Sequence, residues 1–232
     1  VPMVEGDDDT EDDDTEPEPG HPHPPTLFTT TIEQSRALLT DPASGISVTV
    51  TDVLGETPIY RFLNKNIAWH PPWNSEKGEW WSNTIAKLIM RHPQFNVNHR
   101  NAAGQTVLQA AIRINTDLTH YILDTFGATV NVFVGNNNGV VPLAESLNEG
   151  LVKVSHRLMR DYYLPRLQGR IIPDLDVVDV NGSKILDYLL KSQNRFLETD
   201  MVSDVYRAWR DQVASWIIAH TTLYYRGTGA TL

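Results

Sequence analysis

The chain of 232 residues contains no cysteine, which excludes disulfides and thiolate metal sites. No run approaches the roughly 18 apolar residues of a membrane-spanning helix, and no secretory signal pattern is present. Cationic excess is missing too. The formal net charge is −10, and ten acidic side chains crowd into residues 5–18, leaving 19 acidic residues against 19 Lys and Arg elsewhere. A neutral body offers no general basic field for nucleic acid or anionic lipid. Catalytic signatures are equally absent: there is no P-loop, no G-x-S-x-G and no dinucleotide glycine fingerprint. The body histidines (His70, His92, His99, His120, His156 and His220) show no metal-ligand spacing. The sequence therefore reads as a non-enzyme with no cofactor and no metal. The chain begins at Val1 and reads as a processed or excised piece, with an intracellular setting (cytoplasm or nucleus) as the expectation.

What is present divides at about residue 25. Residues 1–25 join dense like charge to "PEPGHPHPP", a composition that cannot bury enough apolar area to offset chain entropy. They read as a disordered acidic segment, a solubilising tail or an arm for a basic partner. Thr10 and Thr15 each have an acidic residue three positions on, the pattern acidophilic kinases favour. Residues 26–232 read as one helical domain.

Within that domain, "WHPPWNSEKGEWW" from Trp69 holds four of the six tryptophans, in a stretch otherwise mostly polar or Pro. Four further segments align on a glycine: "DVLGETPIYRFLNKN" from Asp52, "NAAGQTVLQAAIRIN" from Asn101, "NNNGVVPLAESLNEG" from Asn136 and "DVNGSKILDYLLKSQ" from Asp179. Each opens on Asp or Asn, reaches Gly three residues later (Gly55, Gly104, Gly139, Gly182) and then starts an apolar helical pattern. Asp or Asn closes a β-turn through its own backbone, and Gly supplies the positive φ. Thr57 and Thr106 stand where a hydroxyl caps the following helix, and Pro58 at its first position.

These segments resemble ankyrin repeats, whose pattern is D-x-x-G-x-T-P-L-H-x-A-A. "GETPIY", "GQTVLQAA" and "GVVPLAE" match it in part, and "FGATVNV" before the third turn looks like the family's G-A-D-V-N junction. The departures are clear. The family's His is replaced by Tyr60, Gln109, Ala144 and Asp187 in turn, and the fourth unit lacks both Pro and the Ala pair that Ala110 and Ala111 supply in the second. The resemblance implies an all-α, ankyrin-like helical solenoid of about four divergent repeats behind a disordered acidic segment.

Around the turns, apolar periodicity predicts a solitary first helix after a Thr31 cap, then second helices over residues 82–92, 116–126 and 150–167. A closing helix is expected to bury Val205, Trp209, Val213 and Trp216, and "GISVTVTD" reads as a strand-like lead into the first turn. The tryptophans then fall in an insertion over residues 64–82, either a satellite core or a recognition element, with Trp81 structural and Trp73 exposed. Arg157, Arg160, Arg166 and Arg170 form a modest basic cluster, read as a solvated face or as a docking patch for an acidic partner.

The resemblance implies a protein–protein interaction module, a scaffold or adaptor, that binds through its concave side. The contact positions carried over are Val53, Leu54, Glu56, Asn64 and Lys65 in the first unit. In the second they are Ala102, Ala103, Gln105, Arg113 and Ile114, and in the third Asn137, Asn138, Val140, Asn148 and Glu149. Trp69 and Trp73 join them from the insertion. The alternatives are a non-catalytic, substrate-recruiting domain of a larger enzyme or secreted microbial effector, and a regulatory inhibitor that uses its acidic segment. The partner expected is another protein, not nucleic acid or membrane.

Overall fold

The computed structural model describes residues 26–28, 30–63, 75–168, 177–196, 208 and 211–219. The fold is mostly helical, and among the described residues there is no β-strand, only an isolated bridge between Arg100 and Thr106. The helices are α1 (Ile32–Thr40), α2 (Pro58–Leu63), α3 (Ser75–Arg91), α4 (Val107–Ile114), α5 (Thr116–Phe126), α6 (Pro142–Asn148), α7 (Val152–Leu158), α8 (Leu164–Gln168) and α9 (Ile185–Phe196). Residues 211–219 are also helical.

Local chemistry sets many of these boundaries. Thr31 accepts from the Gln34 amide while the Gln34 side chain accepts from the Thr31 amide, a capping box that starts α1. Thr106 and Gln109 repeat the device at α4. Asn115 ends α4 and starts α5: its amide donates to the Ala111 carbonyl at 2.8 Å, and its Oδ1 accepts from Leu118 at 3.0 Å. α6 stops in a Schellman arrangement, with Gly150 at φ 68° donating to Leu147 and Leu151 donating back to Ser146.

Four turns of one design precede α2, α4, α6 and α9: residues 52–56, 101–105, 136–140 and 179–183, here turns 1 to 4. In each, the first residue donates its amide to the carbonyl of the fifth at 3.0 Å. The glycine amide returns to the first carbonyl at 2.8–2.9 Å. The first residue's Oδ1 accepts from the fifth amide at 2.7–3.1 Å. All four glycines lie at positive φ, between 70° and 79°. The turns predicted from the Asp/Asn and Gly positions are the turns observed.

The helices pack in two layers. One row runs α2, α4, α6, α9, each touching the next, and α3, α5 and α7 back onto α2, α4 and α6. α1 packs on α3, and α5 on α7. Asn115 Nδ2 to Asn83 Oδ1 (2.9 Å) and Arg91 Nε to the Tyr121 hydroxyl (3.2 Å) tie α5 to α3. The core between the rows is continuous: Ile59, Leu63, Ile85, Ile89, Leu108, Leu118, Ile122, Leu143 and Leu147 are all at most 2% exposed. Ala110 and Ala111 are buried where α4 meets its neighbours, the place for small side chains.

Four expectations change. α3 begins at Ser75 rather than Ser82, so the backbone of residues 75–82 extends the helix; no proline lies between Pro72 and Pro93, and Glu76, Lys77 and Glu79 are good helix formers. "GISVTVTD" pairs with no strand; Val48 is buried while Val50 is 45% exposed. The helix expected over 150–167 starts at Val152 and is broken by a π segment, Met159–Tyr163. Pro165 cannot donate to the Asp161 carbonyl, and the wider turn, with Leu164 donating to Met159, accommodates it. In the closing helix Val213 is buried as expected, joined by buried Ile217, but Trp216 is only half-buried; Val205 and Trp209 lie outside the described residues.

Candidate interaction surface

The turns do more than start helices: they bond to one another in chain order. The Asn137 amide of turn 3 donates to the Ala103 carbonyl of turn 2 at 3.0 Å, and the Val180 amide of turn 4 donates to the Asn138 carbonyl of turn 3 at 2.9 Å. Asn137 Nδ2 reaches the Ala102 carbonyl at 2.9 Å. Turns 1 and 2 are joined differently, by Asn101 Nδ2 to Glu56 Oε1 at 3.3 Å. The result is a continuous row of turns with the α2–α4–α6–α9 row behind it.

A second set of bonds locks the row from below. Tyr60 and Gln109 occupy equivalent places, five residues after the glycine. The Tyr60 hydroxyl lies 2.8 Å from the Gln105 carbonyl, and Gln109 Nε2 donates to the Val140 carbonyl at 2.6 Å. Both target carbonyls immediately follow the next turn's glycine. Two side chains of different chemistry therefore make one contact from one place. Ala144 at the third such position has no polar group to offer. At turn 4 a different bond serves: the Tyr188 hydroxyl donates to the Asp179 Oδ2 at 2.6 Å.

Charge on this face is sparse. Arg113, half-exposed, pairs with the nearly buried Glu145 at 3.2 Å. Burial pushes the Glu145 carboxyl above its ordinary range; Arg113 opposes the shift and Glu149 adds to it. The hydrogen bond from Tyr188 holds Asp179 below its ordinary value. Burial raises the Tyr60 hydroxyl, which remains a donor across the physiological range.

Of the positions singled out in the sequence, Val53, Leu54, Ala102, Ala103, Asn137, Asn138 and Arg113 are exposed. Glu56, Gln105, Ile114, Val140, Asn148 and Glu149 are half-buried; Asn148 Nδ2 lies 3.3 Å from Glu149 Oε1. Several serve structure through backbone groups: the carbonyls of Ala102, Ala103, Gln105 and Val140 are all bonded to neighbouring units. Asn64, Lys65, Trp69 and Trp73, with Arg170, lie outside the described residues, as does the Trp81 side chain.

Sequence reasoning did not pick out Arg100. Its Nε donates to the Gly104 carbonyl at 2.8 Å, and a guanidinium nitrogen donates to Gly135 at 2.9 Å. The one-residue offset from Asn101 was the available signal. Asn98, three residues before Asn101, bonds the junction before turn 3: its Nδ2 donates to the Thr129 carbonyl, and its Oδ1 accepts from the Asn131 amide at 2.7 Å. Three arginines of the cluster have partners. Arg157 pairs with Asp124 at 2.6 Å, Arg160 with Asp161, and Arg166 lies over the Phe133 ring. His120 and His156 are half-buried, beside Arg157 and the Trp216 ring respectively.

Among the described residues no helix is long and apolar enough to cross a membrane. A cleft of about 410 Å³ between the C-terminal ends of α1 and α3, lined by Leu38, Leu39, Ile46, Leu88, Arg91 and His92, converges no catalytic set. No family model matches the chain, and no curated protein matches it significantly.

Proposed function

We propose that this chain is a divergent ankyrin-type solenoid of about four repeats that acts as a protein-binding module, taking its partner along the row of turns and the α2–α4–α6–α9 face behind it. One observation carries the reading: four turns with the same three internal hydrogen bonds are stacked in chain order, each ahead of a helix of the same row. Stacked repeats of this kind create an extended surface whose exposed positions are free to vary. Here the exposed positions are Val53, Leu54, Ala102, Ala103, Arg113, Asn137 and Asn138, and half-buried Asn148 and Glu149 adjoin them at the end of α6. The Trp-rich segment adds Trp69 and Trp73, of a residue type favoured at binding hot spots. The acidic segment over residues 1–25 suits a basic partner.

The test compares two altered proteins in quantitative affinity capture. One carries Arg113→Ala, Asn138→Ala and Asn148→Ala on the proposed face; the other carries Asp117→Ala and Lys153→Ala, at exposed positions of the second layer. Partners lost from the first and retained by the second support the reading. Equal capture by both overturns the choice of face.

A further inference from the structure

We propose that copies of this chain associate head to tail, turn 1 of one copy stacking on turn 4 of the next. The proposal extends a bond the chain already makes twice internally. The second residue of a turn donates its amide to the third residue's carbonyl in the preceding turn: Asn137 to Ala103, and Val180 to Asn138. The two ends of the row hold unused halves of that bond; between turns 1 and 2 it is not made either, and Asn101 Nδ2 to Glu56 Oε1 joins them instead. The Val53 amide, second in turn 1, has no acceptor among the described residues, and the Asn181 carbonyl, third in turn 4, has no donor there. An open row of backbone donors and acceptors is a template for a further chain.

Side chains at the same positions point the same way. In turns 2 and 3, which have a neighbour on each side, the second and third positions hold Ala102, Ala103, Asn137 and Asn138. In the end turns large apolar side chains stand in water. Val53 is 102% and Leu54 69% exposed at turn 1; at turn 4 Val180, in second position, is 69% exposed and the third is the polar Asn181, with Val178 just before the turn and Leu190 of α9 each at 51%. Large apolar groups at both open ends, and small or polar ones between, fit a row whose ends meet a partner. Donor and acceptor halves lie at opposite ends of one chain, so the matching occupant is a second copy. The contact is heterologous and does not close on itself by symmetry, so it propagates into oligomers.

Sedimentation equilibrium of the full chain tests this, in moderately high salt to screen the ten acidic side chains at residues 5–18. The weight-average mass of the unaltered protein should rise with concentration above the 26.1 kDa of one chain. Val53→Asp and Val180→Asp each place a charge on an exposed side chain and leave the turn's backbone bonds in place, and circular dichroism should show both folded. Each alone should stay at one-chain mass. Mixed in equal amounts they should form dimers and stop, because Val53→Asp keeps a working turn 4 and Val180→Asp a working turn 1. A one-chain mass for the unaltered protein at every concentration overturns the proposal. So does a mixture no heavier than its components, or association of either altered protein as strong as the original's.

Discussion

Turns 1 and 2 are the same object in different surroundings. Their internal hydrogen bonds match within about a tenth of an ångström, and their glycines share the left-handed conformation, φ 76° at Gly55 and 70° at Gly104. A Cβ added at Gly55 would meet nothing within 4 Å. The same atom at Gly104 would fall on the Asn137 side chain and within 2.7 Å of an Arg100 guanidinium nitrogen. The backbone demand on glycine is therefore set by the turn, whereas the packing demand is set by the next turn in the row. Only the first is a local property of sequence.

Substituting alanine at both glycines separates the two demands. Gly104→Ala should destabilise by about 3 kcal/mol, since it adds to the φ strain the loss of bonds from Asn137 to Ala102 and from Arg100 to Gly135. Valine there should be worse still, because a branched Cβ is harder to hold at positive φ. Urea titration measures both, and a cost at Gly104 no larger than at Gly55 would dissolve the distinction. Gln109→Leu comes next, at about 2 kcal/mol, because it strips the buried Thr106 amide of its partner and the Val140 carbonyl of one of its two donors, the Asn136 amide remaining. Gly55→Ala should cost about 1 kcal/mol, from φ alone.

Tyr188→Phe tests turn 4 by pH. With its folded value depressed, Asp179 contributes stability that is fully present above its ordinary value of 3.8 and lost as pH falls through the lower folded value. Removing the hydroxyl should lower the melting temperature at neutral pH, and the deficit should shrink as pH falls through the folded value of Asp179; a deficit that does not change with pH would sever the link between bond and titration. Smallest of all is removal of residues 1–24, which should leave the melting temperature within experimental error. A drop of many degrees would mean that the segment packs on the body.

Turn chemistry was legible because it is written within five residues. Asp or Asn, then Gly, gave all four turns, and Thr31 gave the cap at α1, though not the return bond from Gln34 that completes the capping box. The bounds of α5 followed from the spacing of Leu118, Ile122 and Leu123, all buried. What was not legible depended on neighbours far along the chain. Gln109 stood out only as a departure from a family pattern, and its bond to Val140 needs turn 3 in place. The start of α3 was hidden by the tryptophans and prolines before it, which drew attention to a loop. The π segment was missed because an outer helix with regular apolar residues gives no warning that Pro165 will widen the turn before it. On the candidate face, exposure of the turn tips followed from the repeat phase. The pairing of Arg113 with Glu145 did not, since it joins residues 32 apart on different helices.

The hydrogen bonds that hold one turn to the next have a kinetic meaning. Those from Tyr60, Arg100, Gln109 and Asn137 close loops of 45, 35, 31 and 35 residues, each reaching only the adjoining unit. Chain closures of similar modest length mean that no unit must wait for a distant one, and order can spread outward from wherever it first forms. The middle of the row, bonded on both sides, is where the last protected amides should be found under hydrogen exchange, with turns 1 and 4 opening earlier.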